Sequence, residues 1–381
     1  MIFDTEETRE YRHHLARWVD ERLKPKAEEL DHSGEFSFEL FREIGELGYL
    51  GTMYPEEAGG SGLQQPYTCF TILCEELARA SVGFAAGVCM QGSTATHTLY
   101  AWGDEEVKTN YFLPALRGEK VGAFAITEPN AGSDAASLRT KATKTDGGWL
   151  LNGTKVFTTN GTVADFITVV ATTDPTLKAK GLELFLVDTK TKGFSVGRKL
   201  EKFAVHCSDT AELVFENVFV PENRRLNNGA GSSFLNAYQA LTVDRIFTAA
   251  LAVGVGRAAY DASLQYIQER QQFGKPVGQF QAVQFRQVEM LAKLESASLY
   301  TYQAALLADQ SKDITREAAL AKIIAAENCN EVCHMAMQNY GGWGLMNEFP
   351  VQRFLRDSYF PMVGGGTGDI MRMIVARQMG L

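Results

Sequence analysis

The chain has 381 residues, 45% hydrophobic and 22% charged, with a formal net charge of −9. That is the balance of an ordinary globular protein long enough for two or three domains. No apolar run reaches the ~18 residues of a spanning helix, and an acidic chain lacks the basic field that holds nucleic acid by its phosphates. Neither a membrane nor a nucleic-acid partner is expected. The acidic start "MIFDTEETRE" shows no signal or transit peptide and "RQMGL" is no targeting address, so a cytoplasmic location is expected.

Residues 1–120 read as helices. "TREYRHHLARWVDERLKPKAEEL", "FELFREIGELGYLG" and "QQPYTCFTILCEELARAS" place apolar residues three and four apart. "VGFAAGVCMQGSTATHTLYAWG" is less polar and reads as interior. Over 121–230 the period changes. "VGAFAITEP", "WLLNGTKVFTTN", "DFITVVATT", "LELFLVDT" and "TAELVFENVFVP" are short, rich in β-branched and aromatic residues, and bounded by Gly, Asn, Asp or Pro. They predict an antiparallel sheet domain, a small barrel or sandwich.

Helices return over 231–381. "LTVDRIFTAALAVGVGRAAYDASLQYIQERQQF" is apolar nearly all round, as a buried bundle helix is, and two more long helical runs follow. The overall class is therefore mainly α with a central β-domain. Within the first of these helices "GVGRAA" partly matches a dinucleotide fingerprint, but no strand feeds it, so close helix packing explains its glycines better. Cys329, Cys333 and His334 share a helical turn; buried packing is favoured there over a metal, and no metal site is expected. The "NGT" triplets at Asn152 and Asn160 have no secretory context that would make them glycosylation sites.

Four passages, "AITEPNAGSD" (125–134), "NGTKVFTTNG" (152–161), "ERQQFGKPVGQFQ" (269–281) and "NYGGWGLMNEFPVQRFLRD" (339–357), together with "SDTAELVFENVFVP" (208–221), closely resemble the acyl-CoA dehydrogenases. The resemblance spans essentially the whole chain in order. It implies an N-terminal helical domain, an antiparallel β-barrel or sandwich, a C-terminal four-helix bundle, FAD as cofactor and usually a homotetramer. It further implies that Phe124, Ile126 and Thr127 line the flavin, with Gly132 and Ser133 in the same loop and Ser133 meeting the CoA part of the substrate. Phe157 and Thr159 match the pair flanking the isoalloxazine. Arg270 matches a residue that meets FAD pyrophosphate across a subunit boundary, with Gln281, Gln338, Gly341 and Gly342 in the rest of that site. Thr367 and Asp369 match a "T-x-E" segment beside the cofactor.

Dehydrogenation beside a thioester needs a base for the α-proton while the β-hydrogen leaves as hydride to flavin N5. In most of the family that base is a glutamate two residues before the Thr of "GGGTGD", and here the position is Gly365. Glycine has no proton acceptor, though its N–H is kept to stabilise the thioester carbonyl, a contribution of about 3 kcal/mol for one such donor. The missing side chain also leaves room for an α-branched or alicyclic acyl group.

Some branches, the isovaleryl type among them, carry the base on the first long helix of the C-terminal domain, immediately before an Arg. The matching pair is Asp244–Arg245, which makes Asp244 the candidate base and both residues candidates for the substrate site. The alternative for Asp244 is a first-turn acid complementing its helix dipole. Gln91 and His97 are the notable polar groups of the helical stretch from Leu77 to Gly103, and Gln91 is a further substrate-site candidate. The expected partners are an acyl-CoA substrate and an electron-transfer flavoprotein. Competing readings are 1,4-dehydrogenation of a cyclic enoyl-CoA, a flavin-dependent oxidase or monooxygenase, and a non-catalytic FAD/CoA-binding protein.

Overall fold

The computed structural model describes residues 5–227 and 233–381, with the side chains of residues 233 and 235–240 left out. The N-terminal part is a packed set of helices whose starts are written in the sequence. Thr5 and Thr8 form a reciprocal cap at the start of α1 (Glu6–Trp18), and α2 (Ala27–Ser33) stops at a left-handed Gly34. Ser37 caps α3 (Phe38–Glu46) and Pro66 opens α4 (Pro66–Ala80). Ser81 caps α5 (Val82–Met90), which runs through a wide turn at Gln91–Ala95 into α6 (Thr96–Trp102). Short helices α7 (Glu105–Val107) and α8 (Leu113–Leu116) lead to the sheet.

The strands are β1 (Gly122–Ala125), β2 (Lys141–Thr145), β3 (Gly148–Thr159), β4 (Phe166–Thr172), β5 (Leu182–Asp188), β6 (Phe194–Lys199) and β7 (Thr210–Pro221). They run in the order β1-β4-β2-β3-β7-β6, with β5 on β4. The sheet is mixed rather than antiparallel: β1 pairs with β4 in parallel from Gly122↔Phe166 to Ala125↔Val169, and β2 meets β4 in parallel at Lys141↔Thr172. The remaining pairs are antiparallel. β4 is buried at every position, the pattern of a strand covered on both faces. Its continuous apolar run carried that burial but not the direction of its partner.

α9 (Ser233–Glu269) packs against α4, α10 (Gln281–Asp309) and α11 (Thr315–Tyr340). Phe70 of α4 meets Phe247 of α9 edge-on at 4.5 Å, welding the helical parts into one core. "GVGRAA" lies inside α9, where a Cβ on Gly254 would stand 2.2 Å from the Glu75 carbonyl oxygen and one on Gly256 2.9 Å from Cys329. Those glycines serve helix contact. Between α9 and α10 a hairpin, β8 (Gln271–Gln272) and β9 (Lys275–Pro276), turns through left-handed Phe273 and Gly274. The chain closes with α12 (Val351–Asp357), α13 (Phe360–Val363) and α14 (Gly368–Gln378). No helix among the described residues is long and apolar enough to cross a membrane.

Candidate active site

Asp244 lies well inside α9 rather than in its first turn, so the dipole explanation falls away. Ser93 Oγ donates to its Oδ1 at 2.7 Å, and Cys89 Sγ lies 3.7 Å from the same oxygen. Both partners come from the α5 end and the wide turn after it. Burial pushes the Asp244 carboxyl above the ordinary range, and the Ser93 and Cys89 bonds and the charges of Arg245 and Lys322 only partly pull it back. Arg245, its helix neighbour, is buried and donates to Thr242 Oγ1 at 3.3 Å.

The glycine loop between α13 and α14 faces this carboxylate. Gly365 and Gly366 both take left-handed backbone, with φ of 65° and 100°. A Cβ on Gly365 would stand 3.1 Å from Thr248 Oγ1, 3.5 Å from Asp244 Oδ2 and 3.9 Å from Lys322 Cε. Lys322 comes from α11, is 1% exposed, and donates to the Gly366 carbonyl oxygen. Burial and the Arg245 charge push its ammonium down to about 8, with Asp244 opposing.

The two β-domain motifs are joined by direct bonds. Val156 N–H donates to Thr127 O at 2.9 Å, and the buried Lys155 ammonium reaches Ile126 O and Glu128 Oε1, each at 2.8 Å. Glu128 in turn accepts from the Arg139 and Thr140 amides at 2.7 and 2.8 Å, which fixes both ends of the "EPNAGSD" loop. Ser133 and Gly132 sit exposed on that loop, and nothing lies within 4 Å of a Cβ built on Gly132. Phe157 stands at a bulge of β3 with φ of 56° and 68% of its surface exposed, beside half-buried Thr159. Phe124 departs from expectation: its ring packs into the core with Leu99 and Ala131, so only its backbone remains for a ligand, while Ile126 packs partly buried against the same core.

Arg270, Gly341 and Gly342 line one groove of about 550 Å³, with Tyr266 and Tyr340 stacked 3.9 Å apart in its wall. No ion pair engages the Arg270 guanidinium among the described residues, and nothing lies within 4 Å of a Cβ built on Gly341 or Gly342. A free guanidinium, bare glycine backbone and an aromatic wall suit the diphosphate and adenine of FAD. Gln338 instead lines a separate depression with Arg286 and His334, and Gln281, the first residue of α10, does not line the Arg270 groove. Thr367 caps α14 by accepting from Ile370 N–H, and Asp369 borders a small groove with Lys322 and Arg372.

Gln91 leaves the substrate set. Its side chain is fully buried, donating to Ala115 O and Lys120 O at 3.0 and 2.9 Å and accepting from Gly122 N–H at 2.7 Å. Such an amide is spent on holding the helices to β1. His97 is held edge-on to Trp102, and burial lowers its pKa. Cys329 and Cys333 are buried in the bundle while His334 faces the Tyr359 hydroxyl at 3.2 Å. Among the described residues no three His, Cys, Asp or Glu side chains are grouped to hold a metal.

The chain matches the N-terminal domain of acyl-CoA dehydrogenases over residues 5–119, the middle domain over 123–218 and the C-terminal domain over 233–380. It belongs to the acyl-CoA dehydrogenase family. It is 41% identical to a benzylmalonyl-CoA dehydrogenase of Aromatoleum aromaticum, with all of both chains covered. It is 37% identical to a mitochondrial isovaleryl-CoA dehydrogenase of Solanum tuberosum, covering 100% of this chain and 92% of the relative. The solved butyryl-CoA dehydrogenase of Megasphaera elsdenii superposes with a TM-score of 0.96 at 34% identity, each chain covered in full. This acyl-CoA dehydrogenase is thus a flavoprotein oxidoreductase that takes FAD and acts on the CH–CH bond of an acyl-CoA.

Proposed function

We propose that this acyl-CoA dehydrogenase acts on an α-branched or alicyclic acyl-CoA, with Asp244 as the base that removes the α-proton. The observation that carries the reading is the 3.5 Å between Asp244 Oδ2 and the Cβ position of Gly365. A carboxylate from α9 stands beside the place where most of the family sets its glutamate, and Thr248 and Asp244 together take up the volume that a side chain at Gly365 would need. The Ser93 hydroxyl fixes one carboxylate oxygen and leaves Oδ2 facing the loop. Burial raises the proton affinity of Asp244 toward what base catalysis near neutrality needs. The relative named isovaleryl-CoA dehydrogenase, whose acyl group branches one carbon further on, at the β-carbon, favours a branched acyl chain.

The Gly365 N–H stabilises charge developing on the thioester carbonyl, Ser133 meets the CoA part, and Arg245 forms part of the acyl-site wall. Arg270, Gly341 and Gly342 hold the FAD diphosphate end, with Gln281 and Gln338 joining from a second subunit of a homotetramer. Ile126, Thr127, Phe157 and Thr159 flank the ring, with the Phe124 backbone, Gly132, Thr367 and Asp369 nearby. FAD, when bound, supplies the acceptor for the β-hydrogen, which leaves as hydride. An electron-transfer flavoprotein then takes the electrons onward.

The test is anaerobic flavin bleaching by butyryl-, isobutyryl-, isovaleryl- and cyclohexanecarboxyl-CoA in the unaltered enzyme and in Asp244→Asn. Bleaching by the branched or alicyclic thioesters that falls roughly 10²–10⁴-fold in Asp244→Asn is expected. Retained bleaching in the variant assigns the proton to another group.

A further inference from the structure

The glycine loop is held little by its own backbone. Gly364 N–H closes the last turn of α13 on Phe360 O at 2.8 Å, and Thr367 caps α14. Gly365 and Gly366 lie between, both left-handed, and glycine gives up more freedom than any other residue when it is ordered. Among the described residues the one bond that ties this pair to another element comes from Lys322, whose ammonium donates to Gly366 O. The same side chain reaches the other wall of the site. A Cβ on Gly365 would meet Asp244 Oδ2 at 3.5 Å and Lys322 Cε at 3.9 Å. Asp244 from α9 and Lys322 from α11 thus close on one loop, and their charges act on each other.

The other charged groups around the pair come from three sides. On α9, Arg245 acts on both Asp244 and Lys322 while it donates to Thr242 Oγ1 at 3.3 Å. From the α5 side come the Ser93 hydroxyl and the Cys89 thiol, which its bond to Cys74 and burial hold well above the ordinary range. On the α14 side Glu327 is taken by Arg372 at 2.6 Å, and Asp369 borders the groove that Lys322 lines. Burial lowers the Lys322 pKa to about 8, so the ammonium is kept at pH 7.

We propose that Lys322 is a positioning residue for the reaction. It pins Gly366 so that the Gly365 N–H keeps its place, and its charge holds Asp244 in the ionised form that takes the α-proton. The base and the carbonyl donor stand on different elements, and among the described residues no hydrogen bond runs between them. Lys322 meets both, one through a bond and the other through its field. Without the ammonium the carboxyl keeps its proton to higher pH, and the loop loses its tether. The inference rests on the reading of Asp244 as base and Gly365 N–H as donor to the thioester.

Three variants separate charge from hydrogen bond. Lys322→Arg keeps both, Lys322→Gln keeps a donor without charge, and Lys322→Met keeps neither. The Asp244 carboxyl is titrated by difference infrared spectroscopy on the FAD-loaded enzyme, its band assigned by loss in Asp244→Asn. The midpoint is expected to rise by roughly one pH unit in Lys322→Gln and Lys322→Met and to stay near the unaltered value in Lys322→Arg. The rising limb of kcat/KM, read with the thioester that bleaches the flavin fastest, is expected to move with it. On the plateau kcat is expected to fall roughly ten-fold or more in Lys322→Met and less than about three-fold in Lys322→Gln. Bound FAD and thermal midpoints report whether each variant folds, and Lys322→Gln against Lys322→Arg still decides the charge if Lys322→Met does not. Equal Asp244 midpoints in Lys322→Gln and Lys322→Arg overturn the electrostatic role, and equal plateau rates in Lys322→Gln and Lys322→Met overturn the tether. A midpoint that moves as expected while Asp244→Asn still bleaches leaves the coupling standing and overturns the assignment of the base alone.

Discussion

Asp244 Oδ2 lies 3.5 Å from the point where a Cβ would stand on Gly365, so a residue of the bundle and a residue of the C-terminal loop compete for one small volume. Two carboxylates placed there would force one to hold its proton. Gly365 also has φ of 65°, where an L side chain costs roughly 1–2 kcal/mol. Gly365→Glu alone is therefore expected to gain little turnover of butyryl-CoA and to lose stability. Combined with Asp244→Asn, the same glutamate stands unopposed, and the double variant is expected to exceed both single variants on butyryl-CoA. Steady-state rates of the four proteins close this cycle.

The pH dependence follows from the same carboxyl. Asp244 works as a base only when ionised, so kcat/KM is expected to rise through its pKa, at a pH above the ordinary aspartate value. Ser93 donates to the charged form, and Ser93→Ala is expected to move the rising limb to higher pH. The sign for stability is opposite. The folded-state pKa exceeds the unfolded value of about 3.9, so the native state takes up the proton first. The stability from that proton is present at low pH and is lost as pH rises through the folded-state pKa. Asp244→Asn is expected to flatten that decline, as read by urea midpoints from pH 4 to 8.

The sheet motifs offer a test on the cofactor side. Lys155 is buried and bonded to Glu128, which holds the Arg139 and Thr140 amides. Lys155→Met leaves Glu128 buried without its counter-charge and is expected to cost about 3–5 kcal/mol. Because Lys155 also holds Ile126 O, FAD retention should weaken with it. Lys155→Met with Glu128→Gln removes the uncompensated charge, and part of the loss is expected back. Urea midpoints and bound flavin per chain measure both effects.

The order of helices, strands and helices was legible because the apolar period changes from three-to-four to two near residue 121 and back near 231. The buried run of β4 was legible as well, but its parallel pairing with β1 was not, because direction depends on how the chain enters the sheet. Asp244 was legible through the "DR" pair, while its bond to Ser93 joins residues 151 apart in sequence and leaves no local trace. Gln91 misled for the complementary reason: a glutamine in an apolar helix looks poised for a ligand until its three backbone partners are known. Lys155, Glu128 and Lys322 gave no signal either, since Lys and Glu in a pattern ordinarily mean surface.

Gly254 and Gly256 separate two kinds of close contact within α9. A Cβ on Gly254 would stand 2.2 Å from the Glu75 carbonyl oxygen and 2.8 Å from the Ala78 Cβ, so the clash is with the α4 backbone. A Cβ on Gly256 would meet only the Cys329 side chain closely, at 2.9 Å from both Cβ and Sγ. Overpacking costs about 1–3 kcal/mol where side chains can yield, and more where they cannot. Gly254→Ala is expected to exceed that range or prevent folding, and trimming Ala78 to glycine should not restore it because the carbonyl remains. Gly256→Ala is expected to fall within the range, and Cys329→Ala should relieve part of it by removing Sγ. Chemical denaturation of these single and paired variants checks the contrast: equal costs for the two glycines would mean that α9 shifts against α4 as easily as it repacks against α11.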